Sequence, residues 1–426
     1  MKETASVARP TIGLTGWSGV ALFADIFRRG FFARLERFTE GRLILIDGAR
    51  QWEFGNPRAE LRSTIHITDR RFYPMIGLSS SIGAAEAYVK GYWSTNDLVS
   101  LVRIVARNQH VFTPRERAAA RALRPFTRLY HRLRNNTRAG SKRNIVAHYD
   151  LSNDFYSLFL DRTMTYSCGV FEREDTTLEE ASVEKLDRIC RKLRLSPDDH
   201  VLEIGTGWGS FAVHAAQNYG CRVTTTTISD RQYDYAVRKV EQAGLGDIVT
   251  VLNQDYRELT GQYDKLVSIE MIEAVGVQHI QTFVAKCSEL LKPDGLMALQ
   301  AITMSDQRFD DYRRSVDFIQ AMVFPGASLV SISHLLKNVR QRSDLRPVDL
   351  EDITPHYATT LARWRERFMA RLDDIRRLGF TDEFIRLWEY YLAYCEGGFR
   401  EAHIGDIQLL LAKPQYRVTG SVRGDK

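Results

Sequence analysis

"HVLEIGTGWGSFAVHAA", residues 200–216, sets three glycines at alternate positions between an apolar run and a helical one. His200–Ile204 reads as a strand, because its apolar residues crowd a run too short for a helix. From Ser210 the apolar residues Phe211, Ala212, Ala215 and Ala216 recur at helical spacing, and Gly220 supplies a stop. The segment is therefore strand, glycine turn, helix. Glycines at such a turn let backbone approach a ligand closely, with helix N–H groups facing it. Outward from this point the alternation continues. "CRVTTTTIS" (221–229) is a strand, "RQYDYAVRKVEQAG" (231–244) a helix, and "IVTVLNQD" (248–255) a strand. "YDKLVSIEM" (263–271) is a further strand, "TFVAKCSELLKPDG" (282–295) a helix and turn, and "LMALQAIT" (296–303) a strand. Strands separated by helices predict a mostly parallel, doubly wound α/β sheet.

Upstream the pattern differs. "GRLILIDG" (41–48) is a strand closing on an Asp-Gly turn, and "ELRSTIHIT" (60–68) alternates. A smaller N-terminal α+β domain is expected over 1–113. Residues 115–144 carry ten Lys/Arg and one acid, Glu116, so that segment is +9 in a chain of net charge +6. Leu123, Phe126, Leu129, Tyr130 and Leu133 recur there at helical spacing among arginines, and Pro125 would start or kink the helix. A basic amphipathic linker over 114–144 suits an anionic membrane surface. A solvated helix packed on a neighbouring domain is the plainer alternative. The catalytic domain is expected over 145–426.

The 426 residues are 44% hydrophobic and 26% charged, which is ordinary for a soluble globular protein. No run reaches the roughly 18 apolar residues of a membrane span. The opening "MKETASVARPTIGLTGWSGV" does not read as a signal peptide. Five scattered cysteines without a CxxC suggest neither a disulfide framework nor a zinc site, so no metal is expected. The expectation is a cytoplasmic protein associated peripherally with the inner face of the membrane.

A glycine loop alone is shared by dinucleotide and S-adenosyl-L-methionine (SAM) proteins. Here Gly205, Gly207 and Gly209 are spaced G-x-G-x-G rather than G-x-G-x-x-G, with Glu203 two residues before. "NQDYREL" also ends the third strand with Asp255, placed to meet an adenine edge, and Tyr256 follows it. Both features favour SAM. SAM proteins commonly carry an acid at the end of the second strand to hold the ribose hydroxyls; here that strand ends "TTTTISDRQ" (224–232), so Thr227, Ser229 and Gln232 are expected to contribute.

Several stretches agree in order: "AHYDLSNDFYSLFLDRTMTYSCGVF" (147–171), "VLEIGTGWGSFAVHAA", "TTTTISDRQ", "IEMIEAVG" (269–276), "FPGASLVS" (324–331), "HYATTLARWRERF" (356–368) and "YYLAYCEGGFR" (390–400). Together they resemble the cyclopropane-fatty-acyl-phospholipid synthase family from about 145 to 413. The N-terminal region resembles that of the bacterial phospholipid enzymes, which the shorter mycolic-acid synthases lack. The resemblance implies a class I SAM-methyltransferase fold. It also implies transfer from SAM to the cis double bond of an unsaturated acyl chain in a membrane phospholipid, with ring closure. The implied partners are that lipid and a second copy of the chain, as a homodimer.

The resemblance assigns SAM to Tyr166 and Ser167 as well as to the loop residues. It implies a bicarbonate ion as general base, held by the Cys168 backbone, Glu273, Tyr357 and the Ile302 backbone. Cys395 matches the family's cysteine of active-site repute. A thiol there would line the pocket, since methyl transfer to an alkene demands no covalent thiolate; alone, a cysteine among aromatics is a small core residue. One position departs. Where the family has histidine, this chain has Gln300, which hydrogen-bonds but carries no charge. A methyl- or methylene-branched product is therefore the alternative to a ring. A nucleic-acid-binding reading of the arginine-rich segment lacks any Asn/Asp-Pro-Pro-aromatic motif, so no nucleic acid is expected. A catalytically dead binding module sits poorly with the intact glycine loop and Glu273.

Overall fold

The computed structural model describes residues 24–111 and 151–417. The basic linker lies outside the described residues. The chain divides into two compact units after Asp97, rather than after 113. The helix Leu98–Arg107 goes with the larger unit. Its Arg103 and Arg107 both grip Glu401, at 2.6 and 2.8 Å, and the helix packs on Asp382–Arg400.

In the smaller unit, β1 (Arg42–Asp47), β2 (Arg50–Gly55), β3 (Arg62–Ile67) and β4 (Trp93–Thr95) form one sheet in the order β2-β1-β3-β4. Asp47 and Arg50 close a two-residue hairpin in which Gly48 takes φ +62°, a conformation that suits glycine. Alternation along β1 and β3 buries Leu43, Leu45, Ile65 and Ile67. The helix Phe72–Val89 packs on β4, and its buried Tyr73 hydroxyl donates to Asp47 Oδ2 at 2.7 Å.

The larger unit is built on β5 (His200–Ile204), β6 (Arg222–Thr227), β7 (Val249–Asn253), β8 (Tyr263–Ile269), β9 (Leu291–Met304), β10 (Arg346–Asp352) and β11 (Ile404–Ala412). Their order is β10-β11-β9-β8-β5-β6-β7. β7, β6, β5, β8 and β9 run parallel, and β11 runs against both β9 and β10. Every strand expected from residue 200 to 303 is present. β9 starts earlier than the expected turn allows, because Leu291 already pairs with Tyr263.

Successive residues serve opposite layers. Leu202 and Ile204 face one core with Phe283, Leu299 and Ile407, while Val201 faces the other with Phe211, Val223 and Ala298. A sheet buried on both faces needs this nearly continuous apolar run. From β5 the chain winds out to β7, then returns to β8 on the other side. That reversal opens a crevice at the carboxyl ends of β5 and β8, where doubly wound sheets bind ligands.

Candidate active site

A cavity occupies this crevice, and the glycine turn forms one wall. Gly205 and Gly207 take φ +104° and +52°. An added Cβ at Gly205 would lie 2.9 Å from Met271 Cγ, whereas at Gly207 nothing lies within 4 Å. The Gly207 backbone therefore faces open cavity, as a cradle for a ligand requires. Gly209 differs from its expected role. Its Cβ would meet Ala236 Cβ at 3.2 Å, so it packs the helix Ser210–Tyr219 against Asp230–Gln242 and does not line the cavity.

Tyr166, Ser167, Glu203, Thr227, Gln232, Asp255 and Tyr256 all line the cavity. The Thr227 hydroxyl donates to Gln232 Oε1 at 3.0 Å. Ser229 is outside the lining; its Oγ accepts the Gln232 N–H and caps the following helix. Asp255 is clasped by the Arg257 guanidinium at 2.8 and 2.5 Å. Glu203 is buried and accepts from Thr225 Oγ1 at 2.6 Å. Burial pushes its carboxyl up to about 8, against that bond and the charges of Lys185 and Lys239. Lys185, which sequence reasoning passed over, is buried in the same wall and donates to Ser167 Oγ at 2.9 Å. Burial pulls its pKa down, opposed by Glu270, Cys168, Asp406 and Glu203.

Beyond the cavity lining, the residues assigned to the anion converge on an acid that sequence reasoning did not select. Glu270 follows β8 directly and lines the cavity. Its Oε1 accepts the Cys168 N–H at 2.8 Å and Gln300 Nε2 at 2.8 Å; its Oε2 accepts the Tyr357 hydroxyl at 2.5 Å. Its φ is +47°, a left-handed conformation costing a non-glycine residue on the order of 1 kcal/mol or more. Glu273 Oε1 accepts the Ile302 N–H at 2.6 Å, while its Oε2 is buried without a hydrogen-bond partner. Burial, then the Glu270 charge, pushes Glu273 up to about 8. Asp406 is also fully buried and held well above the usual carboxylate range by burial and by Glu270 and Glu273. Burial and Glu270 likewise raise Tyr357, which keeps its phenolic proton.

Cys395 is outside both groups. It lies one helical turn after Tyr391, whose hydroxyl shares a 2.9 Å hydrogen bond with that of Tyr166. Burial, then the Asp317 charge, pushes the Cys395 thiol far up. Tyr391, like Glu270 and Asp406, was missed. Glu270 alone left a signal, being an acid at the carboxyl edge of a strand, three residues before Glu273.

The strand order and the glycine-walled cavity define a class I SAM-dependent methyltransferase. The chain belongs to the mycolic acid cyclopropane synthetase family, whose model matches residues 136–409. It is 40% identical over 380 residues to the tuberculostearic acid methyltransferase UfaA1 of Mycobacterium tuberculosis, covering 87% of each chain. It is 35% identical to the cyclopropane-fatty-acyl-phospholipid synthase of Escherichia coli K12, covering 81% of this chain and 86% of that one. Among solved structures, the mycolic acid cyclopropane synthase CmaA1 complexed with SAH and CTAB is 31% identical, with a TM-score of 0.59 over 64% of this chain and 98% of that chain. SAM is the co-substrate, and the family modifies lipids.

Proposed function

We propose that this chain moves the methyl group of SAM onto the double bond of an unsaturated acyl chain of a membrane phospholipid, and that the product is a methylene branch rather than a ring. SAM supplies an electrophilic methyl on a sulfonium; an alkene is a weak nucleophile, so the two must meet in line and away from water. The Gly205 and Gly207 backbone, Glu203 and Gln232 are suited to hold the nucleoside end. Tyr166 offers an aromatic face at the cavity, fixed by its bond to Tyr391 and by Trp364 5.0 Å away. Such a face stabilises the carbocation left on the chain.

The observation that carries the product is the state of Gln300. It is fully buried; its Nε2 donates to Glu270 and its Oε1 accepts from Gln408 Nε2 at 3.1 Å. An amide so committed neither takes a proton nor carries charge where the resemblance implies an imidazole. For a ring, the C–H electron pair of the new methyl must close on the cation at once. For a methylene branch, a hydride first crosses the former double bond, and the same pair then makes C=CH2. A changed proton step favours the second course, as does the 40% identity to a relative named as a methyltransferase. Ring closure is the second reading, favoured by the E. coli relative. Both products add CH2, so mass does not separate them. NMR of fatty acids released from monounsaturated vesicles treated with the enzyme and SAM does. Vinylidene protons support the proposal; upfield ring protons overturn its product.

We further propose that the basic linker holds the enzyme on anionic lipid at the membrane's inner face. Vesicle binding should fall as salt rises and when Arg124, Arg128 and Arg132 are neutralised together. Binding indifferent to both changes would remove this role.

A further inference from the structure

The anion site that the resemblance implies is already filled by the chain itself. Of the four donors in question, the Cys168 N–H, the Tyr357 hydroxyl and the side chain at position 300 all point to the Glu270 carboxylate, and the Ile302 N–H is taken by Glu273. A free bicarbonate ion does not fit these residues. We propose that the Glu270 carboxylate takes the ion's place as resident general base, so that turnover needs no bicarbonate. This rests on the methyl transfer proposed above and names the group that completes it.

Three observations carry the assignment. The first is shape. A carboxylate and bicarbonate share a planar CO2 group, and a donor set that fits one fits the other. Both Glu270 oxygens accept, from three donors at 2.5–2.8 Å. The second is backbone. Glu270 holds φ +47°, where glycine would sit without strain, and the structure keeps a side chain there nonetheless. The third is charge. The half-buried Glu273, whose Oε2 is enclosed, and the buried Asp406 lie around the same point, and Glu270 already raises the pKa of both. A second resident anion there would lack both solvent and donors.

Glu270 also lines the cavity beside Gly205 and Met271. The step balances without a further reagent. The sulfonium–methyl bond breaks, its pair stays on sulfur, and the alkene pair makes the new C–C bond. A Glu270 oxygen then takes one proton from the added methyl. The C–H pair closes the ring directly or, once a hydride has crossed the former double bond, forms C=CH2, and the proton leaves Glu270 to solvent before the next turnover.

The test uses the full chain in wild-type, Glu270→Gly and Glu270→Gln forms. Each is incubated with SAM and monounsaturated phospholipid vesicles in carbonate-depleted buffer and in the same buffer with added bicarbonate. Wild type is expected to give equal rates in both. Glu270→Gly, which relieves φ and vacates the donors, should lose about 10²- to 10⁴-fold without bicarbonate and regain about tenfold or more with it. Glu270→Gln keeps the site filled, so it should stay slow in both. A wild-type rate that falls on depletion overturns the proposal, as does a Glu270→Gly rate that needs no rescue. A second readout does not require the lipid reaction: bicarbonate should raise the melting temperature of Glu270→Gly and leave wild type unmoved. If no lipid product forms with any protein, the functional reading has failed. The melting shift still decides whether Glu270 occupies the anion site, and a bicarbonate shift in wild type would refute that.

Discussion

Cys395 shows what burial does to a reactive side chain. Cys395 is half-buried on the helix Asp382–Arg400, and desolvation there, then the Asp317 charge, holds the proton on sulfur. Since the thiolate is the nucleophile, Cys395→Ala should keep kcat within about threefold of wild type. A loss of a hundredfold would mean that the sulfur does chemistry. The glycines separate in the same way. Gly207→Ala projects a methyl into the cavity, so the Kd for SAM by calorimetry should rise about tenfold. Gly209→Ala meets Ala236 at φ +80°, so it should lower stability by about 1–2 kcal/mol while SAM affinity in the folded protein stays put. Spacing made these two glycines look alike; only the coordinates of Ala236 distinguish them. "SIEMIEAVG" likewise displays both Glu270 and Glu273, but nothing linear says that β9 and the helix Thr354–Met369 aim Gln300 and Tyr357 at the first.

At the scale of elements, Gly397 is the contact on which two helices cross. A Cβ there would fall 2.6 Å from Val102 Cγ1 and 3.4 Å from the Val99 carbonyl. Gly397→Ala should therefore push Leu98–Arg107 off Asp382–Arg400 and cost about 1–3 kcal/mol in urea unfolding. An unchanged midpoint would mean that the helices give way freely. The same crossing ties this helix to the larger unit. The pattern of Leu98, Leu101 and Ile104 says that one helix face is buried, but not against which domain, so sequence alone places this helix with the N-terminal unit. The strands β5 to β9 of the larger unit were legible for the opposite reason, whereas β10 and β11 were not recognised. These five are runs rich in apolar or β-branched residues bounded by glycine or helix signals, and none needs knowledge of its partner to be recognised.

Across the whole molecule, the buried acids make stability depend on pH in an unusual direction. Glu203 and Glu273 are both pushed up to about 8 from an ordinary value of 4.5, chiefly by burial, and Asp406 is raised as well. Between 4.5 and 8 the folded chain holds protons that the unfolded chain has released. Stability from these groups is therefore complete below about 4.5, falls as pH rises through that window, and levels off above 8. Each group accounts for a few kcal/mol at most, since a tenfold change in proton affinity is worth about 1.4 kcal/mol. Glu273→Gln isolates one of them. Its amide oxygen can still accept the Ile302 N–H, but the side chain never ionises. Variant and wild type should unfold at similar urea concentrations at pH 5, and the variant should become the more stable of the two by pH 8. Parallel curves across that range would mean that Glu273 is already ionised in the folded protein. The cluster would then hold two carboxylate charges side by side, and the view of Glu270 as its one resident anion would have to be given up.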